Sequence, residues 1–187
     1  MLQHLYLIRH GETAWSLTGQ HTGRTDLPLI AAGEAGGRKL AARLGSISFT
    51  HVLTSPRLRA RQTCDLAGLG ANAEIEPDLA EWDYGDFEGL LRREILARQP
   101  GWNIYRDGCP HGESPAAVTA RVDRLIARLR GLEGNVAVFS HGHLGRVLAA
   151  RWIGLPITEG QRFVLGTASV SVLGFEHDSP VIEHWNT

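Results

Sequence analysis

The sequence predicts an α/β fold: a three-layer α/β/α sandwich around a mostly parallel sheet. Short apolar runs bounded by polar residues alternate with longer stretches of helical composition along the 187 residues. Two of the apolar runs end in nearly the same way, in Arg9-His10-Gly11 and in Ser140-His141-Gly142. The length suits one domain with a sizeable core, since domains usually run to about 100–200 residues. With no internal repeat, low-complexity tract or linker, residues 1–187 are read as a single domain.

The first run, Leu5 to Ile8, is short enough for a buried strand ending near Arg9. A Gly- and Thr-rich loop follows from Gly11 to about Pro28. Ala31 to Leu44 has helical composition, weakened by Gly36 and Gly37. His51 to Thr54 reads as a strand. Ser55-Pro56 then predicts a helix to about Leu66, with serine as N-cap and proline at the first helical position. A short strand at Ala73–Ile75 leads to the acidic, aromatic stretch from Glu81 to Glu88, and residues 91–98 look helical. Pro100 to Glu113 reads as an irregular excursion. Ser114-Pro115 repeats the cap signal before an amphipathic stripe of Val118, Val122, Leu125, Ile126 and Leu129. Val136 to Phe139 is a buried strand and a helix follows from His143 to Trp152. Val170–Phe175 and Val181–His184 read as closing strands.

Composition excludes several classes. Apolar residues make up 43% and aromatics 7%, ordinary for a soluble fold. Net charge is −1, with no block of like charge, so nothing predicts binding to nucleic acid or a membrane surface. Lys39 is the only lysine, and GC-rich coding explains the arginine bias without function. No apolar run approaches the roughly 18 residues of a membrane span, and the start MLQHLYLIRH is not a signal peptide. Cys64 and Cys109 form no metal or redox spacing and read as free thiols in a reducing cytosol, so the expected location is cytoplasmic.

The chemistry is concentrated at the strand ends. In open α/β sheets ligands bind beyond the carboxyl ends of the strands, so two parallel neighbours would present His10 and His141 to one crevice. Gly11 and Gly142 would let backbone approach a ligand there. The segment Ser55-Pro56-Arg57 begins a helix after a strand, bringing free N–H groups and a positive helix end to the same place. Arg57, Arg9, His10 and His141 around one point would suit a phosphoryl group; Arg59 and Arg61 are read as a solvated helix face. Phosphoryl transfer to histidine needs a neutral imidazole, charge stabilisation and a proton for the leaving alkoxide. An acid among apolar groups can supply that proton, since desolvation raises a carboxyl pKa. Glu81, between Leu79-Ala80 and Trp82, is the first choice, with Asp83 and Glu88 behind it.

The stretch Leu7-Ile8-Arg9-His10-Gly11-Glu12-Thr13 resembles the signature of the histidine phosphatase superfamily, which includes the cofactor-dependent phosphoglycerate mutases. SPRLRARQT, LAEWDYGDFEG and SHGH follow in the family's order and cover nearly the whole chain. The resemblance implies that His10 is a phosphorylated nucleophile, that Arg9, Arg57 and His141 form the phosphate pocket, and that Glu81 is the proton donor. Thr22 and Gly23 fall where the family's first loop touches substrate. Segments such as Glu81 to Gly85 and Trp102 to Cys109 are similar to those of fungal sedoheptulose 1,7-bisphosphatases and small mycobacterial acid phosphatases. The mutase pattern has asparagine where this chain has Ser16, and a long basic insertion that is missing here.

The expected activity is therefore metal-independent hydrolysis of small phosphorylated metabolites, sugar bisphosphates such as sedoheptulose 1,7-bisphosphate included, with phosphoglycerate mutation as the alternative. A metal centre on His141, His143, His10 and Glu81 or Asp83 lacks a matching ligand spacing and would face repulsive arginines. A phosphosugar sensor would not need the nucleophile and acid. No cofactor and no metal are expected. The expected partner is the small phosphorylated substrate, with no nucleic acid and no membrane; a homodimer is left open. Arg106 is placed in the substrate site, on a loop that with His111 would overhang the pocket and meet a second phosphate.

Overall fold

The computed structural model describes residues 1–187. Six strands, β1 (Leu2–Arg9), β2 (His51–Thr54), β3 (Ala73–Ile75), β4 (Gly134–Ser140), β5 (Val170–Glu176) and β6 (Ser179–His184), form one sheet in the order β3-β2-β4-β1-β5-β6. Strands β3, β2, β4 and β1 are parallel, whereas β5 and β6 run antiparallel to their neighbours. The helices are α1 (Ala14–Thr18), α2 (Ala31–Leu44), α3 (Leu58–Leu66), α4 (Arg92–Arg98), α5 (Ile104–Asp107), α6 (Pro115–Arg130) and α7 (Gly142–Trp152). None is long and apolar enough to cross a membrane.

Strand alternation divides the interior into two cores. Leu5 and Leu7 of β1 and Val136 and Val138 of β4 face a large core filled by the apolar stripe of α6 and by Leu144, Val147, Leu148 and Trp152 of α7. Ile8, Ala137 and Phe139 face the opposite way, onto Leu40 and Leu44 of α2 and Cys64 of α3. Helices thus cover both faces of the sheet. Each fully buried Val or Leu contributes about 1.5–3 kcal/mol relative to leaving it exposed.

The two Ser-Pro signals resolve differently. Ser114 caps α6 as expected, accepting from the Ala117 N–H at 3.1 Å, with Pro115 in the first turn. Helix α3 does not begin at Pro56: it opens at Leu58, with Arg57 at the N-cap position. The reason is that the Ser55 hydroxyl lies 2.7 Å from Nε2 of His141, while Asp26 accepts the Leu58 N–H at 2.6 Å. Two short helices fall in stretches expected to be irregular. Helix α1 is held by a reciprocal Thr13–Ser16 capping box, and α5 by Asn103, whose side chain accepts from the Tyr105 N–H. Both are too short to display an apolar period.

Register places the chemistry. Strands β1 and β4 pair with Arg9 opposite Ser140, so His10 and His141 leave the sheet side by side. Gly11 is needed for packing: a Cβ there would stand 2.4 Å from the Gly33 carbonyl oxygen of α2.

Candidate active site

His10 and His141 are buried, with ring centroids 5.2 Å apart. Nδ1 of His10 lies 2.7 Å from the Gly11 carbonyl oxygen. A carbonyl only accepts, so Nδ1 carries the proton and Nε2 keeps its lone pair. Burial holds both imidazoles well below the usual histidine range, reinforced by the positive charge of Arg59 and Arg9. At neutral pH the pair is uncharged.

Arg59 is fully buried, contrary to the expected solvated face. Its guanidinium donates to the Thr25 carbonyl at 3.0 Å, to Thr22 at 2.9 Å and to Gly23 at 3.2 Å, tying the loop after α1 to α3. The late start of α3 puts Arg59 in its first turn, facing that loop. Arg61 is exposed, as expected. Arg57 is half-buried, and Nε of Arg9, Arg57 and Arg59 are all buried without a hydrogen-bond partner. Arg9 also donates to the Leu165 carbonyl.

Glu81 is buried and accepts three backbone N–H groups, from Trp82 at 2.9 Å, His143 at 3.0 Å and Leu144 at 2.8 Å. Two of these belong to the first turn of α7, so the carboxyl group is fixed at that helix's N-terminal end. The two other acids are engaged elsewhere. Asp83 pairs with Arg24 at 2.8 Å, and Glu88 accepts the N–H groups of Gly23 and Thr25.

Arg9, His10, Glu81 and Gly142 line a cavity of about 150 Å³. Ser16, Gly19, Gln20, His21 and Thr22 from the loop region after β1 and Tyr84, His143 and Arg146 complete its lining. The Tyr84 hydroxyl meets Nδ1 of His143 at 2.6 Å. The His21 ring stacks on His143 at 5.9 Å and 14°, oriented by its own Nδ1–H donated to the Leu90 carbonyl. Nε of Arg146 and the hydroxyl of Tyr105 are buried without hydrogen-bond partners. Burial pushes the Tyr105 phenol up to about 12, partly opposed by the charge of Arg146.

Thr22 and Gly142 therefore reach the cavity, whereas Gly23 does not line it and donates its N–H to Glu88. Arg106 does not reach it. Helix α5 turns Ile104 and Tyr105 inward and Arg106 outward, where it pairs with Asp107 at 2.7 Å. His111 is exposed and pairs with Asp86 at 2.9 Å. Sequence reasoning missed Arg146, His21 and Tyr84. A signal existed for Arg146: it lies four residues after Gly142, one turn along the same face of α7. No group of three His, Cys, Asp or Glu side chains is placed to hold a metal ion.

The arrangement combines an uncharged imidazole with a free lone pair, several guanidiniums and one fixed carboxyl group around a polar cavity. Residues 5–187 match the family model described as histidine phosphatase superfamily (branch 1). The chain is 44% identical over 177 residues to an acid phosphatase of Mycobacterium tuberculosis, covering 92% of this chain and 87% of that protein. It is 41% identical over 185 residues to the sedoheptulose 1,7-bisphosphatase of Saccharomyces cerevisiae, covering 81% of this chain and 68% of that one. A solved structure of an open reading frame product from Mycobacterium tuberculosis superposes with a TM-score of 0.93 at 40% identity, over 98% of this chain and 97% of the other.

Proposed function

The chain belongs to branch 1 of the histidine phosphatase superfamily, and on that footing we propose that it is a metal-independent phosphomonoesterase working through a phosphohistidine on His10. The observation that carries the proposal is the fixed His10 ring, with Nδ1 tied to the Gly11 carbonyl and Nε2 left free beside the cavity. Nε2 attacks phosphorus and the phosphoester P–O bond breaks. Glu81 gives its proton to the departing alkoxide. A water molecule then attacks the phosphohistidine, Glu81 takes up its proton, and His10 is regenerated with release of phosphate. Arg9, Arg57, Arg59 and His141, each with a buried ring or guanidinium nitrogen that has no partner in the protein, supply donors to the phosphoryl oxygens, so the guanidiniums provide the charge stabilisation.

The leaving group lies against Ser16, Gln20, Thr22, His143 and Arg146. That wall is polar and cationic, which favours a hydroxylated metabolite bearing a second anionic group. Sedoheptulose 1,7-bisphosphate, the compound named for the yeast relative, is the first candidate. The free, buried thiols of Cys64 and Cys109 suit a cytoplasmic location.

Rapid quench with ³²P-labelled sugar bisphosphate is expected to trap an acid-labile, base-stable phosphohistidine that is absent from the His10→Ala protein. Label recovered on another residue type overturns the proposal. Supplying 3-phosphoglycerate with 2,3-bisphosphoglycerate separates hydrolysis from isomerisation. Formation of 2-phosphoglycerate faster than phosphate release from any phosphorylated metabolite would make the protein a mutase.

A further inference from the structure

The Ser55 side chain, expected to cap α3, has another partner. It is fully buried at the end of β2, 2.7 Å from Nε2 of His141, and its oxygen accepts the Arg57 N–H at 3.3 Å. Nδ1 of His141 is buried and has no partner. These contacts determine where the imidazole proton sits. If Nε2 carried it, Nε2–H would donate to Ser55, whose oxygen already accepts from Arg57. The buried hydroxyl hydrogen of Ser55 would then be left without an acceptor and the Nδ1 lone pair without a donor, two unmet groups at roughly 1–3 kcal/mol each. If Nδ1 carries it, the Ser55 O–H donates to Nε2, the serine is satisfied, and the one open donor is Nδ1–H.

We propose that Ser55 is a positioning residue that holds His141 in the Nδ1–H tautomer, so that an uncharged histidine offers a hydrogen-bond donor to a phosphoryl oxygen. The inference rests on the phosphatase reading of the site. The two histidines then share one tautomer and present opposite edges. His10 donates its Nδ1–H to Gly11 and shows the lone pair of Nε2, while His141 receives a hydrogen bond at Nε2 and shows the Nδ1–H. The orphaned Nδ1 of His141 lies in the same cluster as the partnerless Nε atoms of Arg9, Arg57 and Arg59. These are donors without acceptors, which a bound phosphoryl group would satisfy together. The wrong tautomer would instead turn a lone pair toward an anion.

The test is a long-range ¹H–¹⁵N correlation spectrum of the free, ¹⁵N-histidine-labelled protein at pH 7.5. His10 and His141 are assigned by the signals lost in His10→Gln and His141→Gln. His141 is expected with its proton on Nδ1. In Ser55→Ala the resonances should move toward the Nε2–H form, and kcat/KM should fall about 10- to 100-fold. That is less than the roughly 100- to 1000-fold loss that follows outright removal of one charge-binding donor. Vanadate inhibition should weaken by a similar factor, and Ser55→Thr should restore tautomer and rate together. A wild-type His141 protonated on Nε2 overturns the inference, and this measurement stands even if Ser55→Ala does not fold. An unchanged tautomer and unchanged kcat/KM in a folded Ser55→Ala protein also overturn it. The phosphatase reading fails separately: no trapped phosphohistidine would remove it while the tautomer in the free protein remained measurable.

Discussion

Replacing Arg59 by methionine removes a buried charge while keeping most of the side-chain volume. Arg59 is fully buried and donates to the carbonyls of Thr22, Gly23 and Thr25, so the substitution strands those acceptors and loosens the loop that carries Thr22. Hydrogen bonds from a charged donor are worth about 1.5–3 kcal/mol each, but water reaches part of a loosened loop. A net loss of roughly 3–5 kcal/mol is the expected scale for breaking such a buried polar cluster. At about 2–4 °C per kcal/mol for a chain of this size, the thermal midpoint should fall by about 6–20 °C. The same charge is the largest electrostatic contributor, after burial, to the depression of His10 and His141. Without it the imidazoles hold a proton more readily, so the acidic limb of kcat/KM must move to higher pH. The assay is urea and thermal unfolding alongside kcat/KM for p-nitrophenyl phosphate between pH 4 and 8. Arg59→Lys should retain part of the pH behaviour but not the stability, because a single ammonium cannot span three carbonyls. A methionine variant with wild-type stability and an unmoved acidic limb would refute both roles.

Glu81→Gln should slow alkyl phosphates at least 100-fold while slowing p-nitrophenyl phosphate little, since a phenolate leaves without a proton; compared kcat values decide it. Arg146→Ala should raise KM for sugar bisphosphates by about tenfold or more, roughly one charged hydrogen bond, and leave p-nitrophenyl phosphate nearly unchanged. His10, His141 and His143 are all held well below the usual histidine range by burial, so below about pH 6.5 the unfolded chain binds more protons than the folded one. Their neutral forms cost nothing above that pH, and stability should be lost as pH falls below it. Calorimetry from pH 7.5 to 4.5 should give a falling midpoint, and inorganic phosphate should offset part of the fall.

The central strands and α6 were legible because their apolar residues recur at strand or helix spacing. Leu5 and Leu7 against Ile8, or the stripe of α6, need no tertiary information to be read. The paired His-Gly corners were equally legible, because parallel strands must end on the same side of a sheet. The arginines of SPRLRARQT were not. Alternating Arg57, Arg59 and Arg61 cannot be sorted until the first helical residue is known, and that is decided by Asp26 and His141, distant in sequence. Arg106 failed for a similar reason: a four-residue helix, invisible to periodicity, turned it away from the cavity. Arg146 could have been found by counting one turn from Gly142.

Helix α7 also acts as a ruler. Gly142 and Arg146 border the cavity from one helix face, and Glu81 is bonded to the backbone at that helix's first turn. The separation between the phosphoryl end and the cationic wall is therefore set by the rise of four residues, about 6 Å, plus the reach of one guanidinium. A substrate's second polar group is measured against that fixed length. Substrate range can change by moving a cation one turn along α7 or onto the facing loop, while the histidines and the strand ends stay where they are.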